Sequence, residues 1–283
     1  METEHVVYFK DSRAMKDVKD QSIHLVISSP PYWNLKKYPE HPLQLGNIKD
    51  YPTFLSELDK VWSECFRVLV PGGRMCIVVG DLCLSRRKHG RHRVLPLHSD
   101  IIVSCLNIGF DYLSPIIWHK VTNINTEAKR PSYCLGRPGG PNSAVKNEVE
   151  YILLFRKPGR YRRMDAARAK LSQLTKQEYV AYYSQVWYLS GDNSNPHPAS
   201  FPIQIPYRLI KMFSYVGDCI LDPFLGSGTT TVAAMMLSRN SVGYEVEPSF
   251  ATLIERRVRG SINTSLLEAR WVGRRSLHFR VKV

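Results

Sequence analysis

Short apolar, β-branched runs that alternate with helical segments are the feature that most restricts how this chain can fold. Strand-length runs occur at 5–9, 23–27, 75–79, 113–118, 151–155, 219–221 and 242–244. Helical periodicity occupies 50–69, 95–106, 203–213, 229–237 and 248–259. This alternation predicts an α/β fold in which helices cover both faces of a mostly parallel, twisted sheet. The 283 residues suit one large domain.

The amino-acid composition restricts the classes of molecule that the chain is expected to bind. The chain has 39 Lys plus Arg against 25 Asp plus Glu, a formal net charge of +14, which favours a polyanion such as nucleic acid. The six cysteines form no C-x-x-C pair, so we expect reduced, mostly buried thiols and no metal site. The N-terminus resembles no signal peptide and no apolar run approaches the roughly 20 residues that span a bilayer. We expect a cytoplasmic protein with no membrane contact.

A glycine-containing turn, Asp222-Pro223-Phe224-Leu225-Gly226-Ser227-Gly228-Thr229, joins a predicted strand to a predicted helix. Such a turn brings backbone close to a ligand and points helix N-terminal amides at it. It matches neither G-x-G-x-x-G nor G-K-[ST], which disfavours pyrophosphate and triphosphate. Asp222 suits a ligand ammonium, and Gly226 and Gly228 leave space for a nucleoside or an amino acid.

Glu245 follows the next predicted strand, where doubly wound sites hold a ribose diol. A ligand with an α-amino acid at one end and a ribose at the other is S-adenosylmethionine. We therefore predict this cofactor for the turn and Glu245.

A second turn, Ser29-Pro30-Pro31-Tyr32, follows the strand at 23–27. The Ser29 hydroxyl and the Pro30 carbonyl can accept hydrogen bonds from an exocyclic amine, which frees the nitrogen lone pair for attack on a methyl sulfonium. The two prolines stiffen the backbone. Tyr32, with Trp33 as a second candidate, offers a ring face to an extruded base. A serine hydroxyl is too weak a base to remove a proton first, so we assign it positioning and electrostatic stabilisation.

With these residues in view, the chain resembles the amino-group DNA methyltransferases, specifically the N4-cytosine type with Ser-Pro-Pro-Tyr in the permuted β group. The likeness extends to segments 67–73, 130–132, 150–157, 186–187 and 197–202. It implies a Rossmann-like methyltransferase fold, double-stranded DNA as the substrate and a cognate restriction endonuclease as a possible partner. It also implies cofactor contacts at the residues already named and, in addition, Asp11 for adenine, and His197 and Phe201 for the methionine end.

Target recognition in this family lies between the strand at 151–155 and the segment that begins at His197. Here that leaves a compact element at 157–196, with 120–146 as a loop over the active face. We predict phosphate contacts from its basic residues, namely Arg160, Arg162, Arg163, Arg168 and Lys170. Bidentate readout of guanine by an arginine is the alternative, and it is not assigned to one residue. The segments 86–93 and 270–282 are similarly basic and are left unassigned.

Several functions stay open. The first hypothesis is a DNA N4-cytosine methyltransferase of a restriction-modification system. One serine is a modest discriminator between bases, so adenine N6 methylation is the nearest alternative. A non-catalytic DNA-binding protein is a second alternative, although both turns are intact, and RNA methylation is a third.

Overall fold

A computed structural model of the chain describes residues 2–120, 145, 147–191, 201–262 and 266–282. Its strands are β1 Glu2–Tyr8, β2 Ile23–Ser28, β3 Leu69–Val79, β4 Leu82–Leu84, β5 Arg93–Leu95, β6 Asp111–Lys120, β7 Val149–Arg156, β8 Val186–Leu189, β9 Cys219–Asp222, β10 Asn240–Tyr244, β11 Leu267–Trp271 and β12 Ser276–Lys282. Its α-helices are α1 Tyr51–Val68, α2 Arg86–His89, α3 Leu97–Ile108, α4 Ala166–Leu171, α5 Lys176–Tyr182, α6 Gln204–Phe213, α7 Thr229–Met236 and α8 Ala251–Ser261.

Within these residues, ten strands form one sheet in the order β11-β12-β1-β10-β9-β2-β3-β7-β6-β8. The five central strands, β1, β10, β9, β2 and β3, are mutually parallel. Antiparallel pairs extend the sheet on both sides, with β7 beside β3 and β12 beside β1. The prediction of a mostly parallel α/β sheet is confirmed.

The strand directions define two edges. The parallel strands all finish at the carboxyl edge, where Tyr8, Ser28, Val79, Asp222 and Tyr244 end their strands. Because β7 runs antiparallel to β3, its first residues lie at this carboxyl edge too, and its last residues lie toward the opposite, amino edge. Sites of open α/β sheets form beyond the carboxyl ends of the strands.

Helix α1 shows how the sequence sets the local structure. Asp50 caps it by accepting a hydrogen bond from the Thr53 N–H at 2.9 Å, and Pro52 occupies the first turn, where its missing N–H costs nothing. The predicted apolar face is buried in full: Phe54, Leu58, Val61, Trp62, Cys65 and Val68. This face packs on the sheet and holds the strands beneath the site in place.

Two parts of the sheet differ from what the sequence indicates or were not predicted. Pro71-Gly72-Gly73 is typical of a turn, but it lies inside β3, and the Gly72 N–H bonds to the Lys157 carbonyl. The C-terminal strands β11 and β12 were not predicted either, although buried and more exposed residues alternate along β12. Across the described residues, no helix is long and apolar enough to cross a bilayer, and no three His, Cys, Asp or Glu side chains are grouped as metal ligands.

Candidate active site

One cavity lies at the carboxyl edge, and segments far apart in the chain line it. Its walls come from the loops after β1, β2, β9 and β10, together with the stretch before α1: Asp11, Ser12, Ser29, Pro30, Pro31, Tyr38, Leu43, Gln44, Leu45, Pro223, Phe224, Gly226, Tyr244, Glu245, Val246 and Phe250. The serine turn and the glycine turn, nearly two hundred residues apart, therefore face the same space.

The two adjacent serines after Ile27 have different surroundings. Ser28 is fully buried, and its Oγ donates a hydrogen bond to Asp222 Oδ1 at 2.9 Å. Successive side chains along an extended backbone point in opposite directions, and Ser29 lines the cavity. Ser29 is therefore the hydroxyl available to a ligand, and Ser28 joins the two turns.

Tyr32 is held by a carboxylate from β7. Its Oη donates a hydrogen bond to Glu150 Oε2 at 2.9 Å, and Glu150 also pairs with Lys120 at the end of β6. Burial, and then the charge of Glu150, raises the pKa of Tyr32 well above its ordinary value, while a hydrogen bond with the Ser29 side chain opposes this. The phenol is therefore protonated at neutral pH and keeps donating to Glu150.

Asp222 connects the glycine turn to the serine turn. Besides Ser28, its carboxylate accepts hydrogen bonds from Thr230 Oγ1 at 2.6 Å and from the Phe224 N–H at 3.0 Å. Only 2% of the residue is exposed, and burial raises its pKa to about 6 in spite of these donors. Its predicted contact with a ligand ammonium stays a prediction, since the contacts that the structure shows are internal.

The two glycines of this turn have different tasks. Gly226 lines the cavity with a φ of 54°, a left-handed conformation that favours glycine. Gly228 begins helix α7 with a φ of 85°, and a Cβ there would lie 3.2 Å from Ile254 of α8. The missing side chain of Gly228 therefore serves helix packing, and the space that both glycines are predicted to leave for a ligand stays a prediction.

Two carboxylates of the cavity follow adjacent strands, β1 and β10. Glu245 accepts hydrogen bonds from the Gly226 N–H at 2.8 Å and the Glu247 N–H at 2.9 Å, and burial raises its pKa to about 7. Asp11 is held by Arg13, whose Nε lies 2.9 Å and 3.0 Å from its two oxygens. Both acids are fixed in direction, as a site for ligand hydroxyl or amino groups requires.

The family model N6_N4_Mtase, described as DNA methylase, matches residues 23–256, a range that contains both turns. The chain belongs to this family. The resemblance inferred from the sequence is therefore confirmed at the family level.

Relatives of this DNA methylase share most of its length. It is 39% identical over 287 residues to the Type II methyltransferase M.MjaI of Methanocaldococcus jannaschii, covering 90% of this chain and 91% of that one. It is 36% identical to the Type II methyltransferase M.MthZI of Methanothermobacter thermautotrophicus, covering 94% and 79%.

Solved structures agree on the architecture. The crystal structure of TTHA0409 from Thermus thermophilus, complexed with S-adenosyl-L-methionine, is 43% identical with a TM-score of 0.73, covering 91% of this chain and 95% of that one. The PvuII DNA methyltransferase (cytosine-N4-specific) shares the fold at 20% identity and a TM-score of 0.65, covering 90% and 86%. The predicted Rossmann-like methyltransferase fold is confirmed.

Three other predicted cofactor residues of this DNA methylase, Phe201, Ser227 and Thr229, are not among the residues that line the described part of the cavity. Phe201 packs in the apolar cluster beneath the sheet. Ser227 Oγ accepts a hydrogen bond from Arg257 at 2.7 Å, and Thr229 is buried at the start of α7. His197 lies outside the described residues, as does nearly all of the 120–146 loop.

Trp33 is corrected as a base-stacking candidate. It is 7% exposed, and its ring meets Tyr51 edge-on at 5.4 Å. The tryptophan therefore belongs to the core, which leaves Tyr32 as the aromatic side chain of the serine turn beside the cavity.

The predicted DNA-binding residues of this methylase lie toward the amino edge, away from the cavity. They follow β7, which ends toward the amino edge, and Arg162 pairs through both Nη atoms with Asp218, the residue before β9. Asp218 is 2% exposed, and a Cβ on Gly217 would lie 3.6 Å from Arg168. Arg162 and Arg168 thus have neighbours inside the fold at the amino edge, while DNA contact stays a prediction for all five residues: Arg160, Arg162, Arg163, Arg168 and Lys170.

Sequence reasoning missed two parts of the site. Tyr38 lines the cavity, and its Oη accepts a hydrogen bond from the Tyr32 N–H at 3.1 Å, while burial raises its pKa to about 12. No periodicity marks the loop in which it lies. Glu150 was noted only as part of a family segment, and its role becomes visible once the antiparallel β7 brings it beside Tyr32.

Proposed function

We propose that this protein transfers a methyl group from S-adenosylmethionine to the exocyclic N4 amine of a flipped cytosine in a specific sequence of duplex DNA. The observation that carries the proposal is the shared cavity: Ser29, Pro30 and Pro31 face Gly226 and Glu245 across it. Methyl transfer to DNA is the activity of the family. Cytosine as the methylated base is the more specific part of the proposal.

The cofactor is S-adenosylmethionine, and the cavity fits it. Glu245 offers a fixed, buried carboxylate to a ribose diol, and Phe224 and Phe250 offer aromatic surface to an adenine. Asp11 is oriented by Arg13 and is proposed to accept from the adenine amine. When bound, the cofactor supplies a methyl group on a sulfonium, which is electrophilic enough to need no metal or covalent intermediate.

Ser29 and Pro30 would activate the amine. The hydroxyl and the carbonyl accept one N–H each, and this moves the nitrogen toward tetrahedral geometry with its lone pair aimed across the cavity. Pro30 and Pro31 keep that carbonyl in place because their rings fix φ. Such preorganised acceptors are worth about 10²–10³ in rate when one is removed.

Tyr32 would hold the flipped base by its ring. Its hydroxyl is tied to Glu150 and its N–H to Tyr38, so the ring has little freedom to rotate away. The amine proton leaves to water during or after transfer, since the Ser29 hydroxyl cannot take it and the Asp222 carboxylate is enclosed behind the turn. Extrusion of the base costs a few kcal/mol, which this pocket must offset.

Identity of the methylated base tests the proposal. Duplex DNA is methylated with labelled cofactor, digested to nucleosides and analysed by mass spectrometry. We expect N4-methylcytosine, because a serine rather than an acidic residue opens the Pro-Pro-Tyr turn. If label is found only in N6-methyladenine, the target base is adenine and not cytosine. If label enters only an RNA substrate, the proposal that DNA is the substrate is wrong.

We also propose that the protein protects DNA from a cognate restriction endonuclease, since the relatives above are Type II methyltransferases. Sequencing of modified bases in DNA from a host that expresses the chain gives both the product and the target. A single short motif, methylated at nearly every occurrence, is the expected result. Scattered modification without a motif would contradict sequence-specific protection.

A further inference from the structure

We infer that the hairpin formed by β4, α2 and β5, residues 82–95, is the surface that binds the phosphate backbone of DNA beside the cavity. The inference rests on the proposed function, because it takes duplex DNA as the substrate. It replaces the basic residues at 160–170 as the site of phosphate contact.

Position is the first argument. The hairpin begins directly after β3, at the carboxyl edge of the sheet. A Cβ on Gly80 would lie 3.4 Å from Tyr32 Cε1 and 3.0 Å from Glu150 Cγ, so the root of the hairpin touches the residues that hold the base pocket. A duplex whose base enters this pocket must pass next to the hairpin.

The root is firmly anchored. Leu82, Leu84 and Leu97 are 0% exposed and belong to the main apolar cluster. Asp81, just before β4, accepts a hydrogen bond from His98 Nδ1 at 2.6 Å, and the His98 ring stacks on Tyr151 at 4.0 Å. The root of the hairpin therefore holds its tip in place, which lowers the entropic cost of binding a partner.

Charge is the second argument. Four arginines of the hairpin are exposed, and within the described chain none of them has a carboxylate partner: Arg86, Arg87, Arg91 and Arg93. The sequence has no acidic residue between Asp81 and Asp100. Four guanidinium groups so close together repel one another, and a row of phosphates relieves that repulsion and releases counterions.

A second segment near the serine turn is basic as well. Lys36 and Lys37 are exposed in the loop that follows Tyr32, and Tyr38 of the same loop lines the cavity. Cations of the hairpin and of this loop therefore both follow strands that end at the carboxyl edge. Phosphate contacts position a protein on DNA without reading its sequence, so the hairpin is assigned affinity and orientation.

A charge-matched pair of variants tests the hairpin. The first carries Arg86→Gln, Arg87→Gln, Arg91→Gln and Arg93→Gln. The control carries Arg160→Gln, Arg163→Gln, Lys170→Gln and Lys176→Gln, four exposed cations that follow β7. Both lose four charges, so any difference in binding comes from location. Duplex DNA of random sequence is titrated by fluorescence anisotropy at several salt concentrations.

We expect the hairpin variant to bind duplex DNA at least about 30-fold more weakly, with its logarithmic salt slope reduced by about 3 to 4, since each phosphate contact contributes about 0.9. The control stays within about threefold of the unmodified protein. Cofactor affinity and the melting temperature stay unchanged in both, because all eight side chains lie on the surface.

Equal loss of affinity in the two variants, or a larger loss in the control, would overturn the hairpin assignment. Failure of the proposed function is separate and is seen in the unmodified protein: no label from the cofactor would enter duplex DNA. An active, DNA-binding parent whose hairpin variant binds normally refutes only the hairpin.

Discussion

The two edges of the sheet carry similar kinds of charged side chains and use them in different ways. At the amino edge two cations have their partners inside the fold: Arg162 binds Asp218, and Lys157 Nζ donates to the carbonyls of Phe66 and Leu69. At the carboxyl edge Ser29 and Glu245 face a cavity. A cluster of charged residues in the sequence therefore does not predict a binding site until the edge of the sheet at which it lies is known.

Strand direction explains this difference. Helices that cross over in an α/β fold end near the amino edge, where their terminal carbonyls lack partners and attract cations. Lys157 satisfies this need at the end of α1. Helices begin near the carboxyl edge, where free amides and loop side chains can meet a ligand.

Ser29→Ala is expected to have the largest effect. If the carboxyl edge is the chemical edge, loss of this acceptor lowers the rate of methyl transfer by about 10²–10³. Single-turnover transfer of labelled methyl groups measures the rate, and calorimetry measures cofactor affinity, which we expect to stay unchanged. Ser28→Ala serves as the control, because the Ser28 hydroxyl is buried and only Ser29 lines the cavity. Undiminished turnover in the Ser29 variant would contradict the assigned role.

Arg162→Gln probes the amino edge. The substitution leaves the buried Asp218 carboxylate without its cation, which costs roughly 2 kcal/mol of unfolding free energy once the partial exposure of Arg162 is allowed for. Urea denaturation measures the loss. Turnover per folded molecule stays unchanged, whereas reduced DNA affinity at full stability would return this arginine to the DNA surface.

Glu245→Gln tests the proposed contact between Glu245 and the ribose of the cofactor. Gln cannot accept from both the Gly226 and Glu247 N–H groups and a diol at once, so we expect about tenfold weaker cofactor binding. Equilibrium dialysis with labelled cofactor measures this. An unchanged dissociation constant would remove Glu245 from the ribose contact.

The same acid makes stability depend on pH. Its pKa is raised to about 7 in the folded protein, against about 4.3 when unfolded. Between these values the Glu245 carboxyl holds more protons in the folded state, so its contribution to the unfolding free energy of the cofactor-free protein falls as pH rises from about 4.5 to 7. Asp222, whose pKa is about 6, acts in the same sense, and His5, whose pKa is lowered to about 3, acts in the opposite sense. Both remain in Glu245→Gln, so we expect the difference in unfolding free energy between the parent and this variant to fall over this range. Denaturation series at several pH values compare the two.

Glu150→Gln should have the smallest effect. The amide still accepts from Tyr32 but no longer pairs with Lys120, so the ring is less firmly held and we expect turnover to fall about fivefold. Tyr32→Phe is the reference background. If Glu150 acts through the tyrosine hydroxyl, adding Glu150→Gln to Tyr32→Phe changes turnover no further, while additive losses would point to a separate task.

Much of the fold and of the candidate site could be predicted from the sequence, because the sequence patterns that indicate them are local. The apolar face of α1 and the ends of β2 and β9 follow from periodicity and from glycine and proline. Long-range pairing could not be predicted in the same way. The antiparallel β7 places Glu150 beside Tyr32, and it also leads the arginines after it away from the cavity.

Ser28 and Asp222 meet although 194 positions of chain separate them, and they do so only because β2 and β9 are next to each other. What the chemistry needs is this adjacency in space. A chain with its two halves joined in the opposite order would therefore keep the same site, provided that this serine and this aspartate still lie at the ends of neighbouring strands.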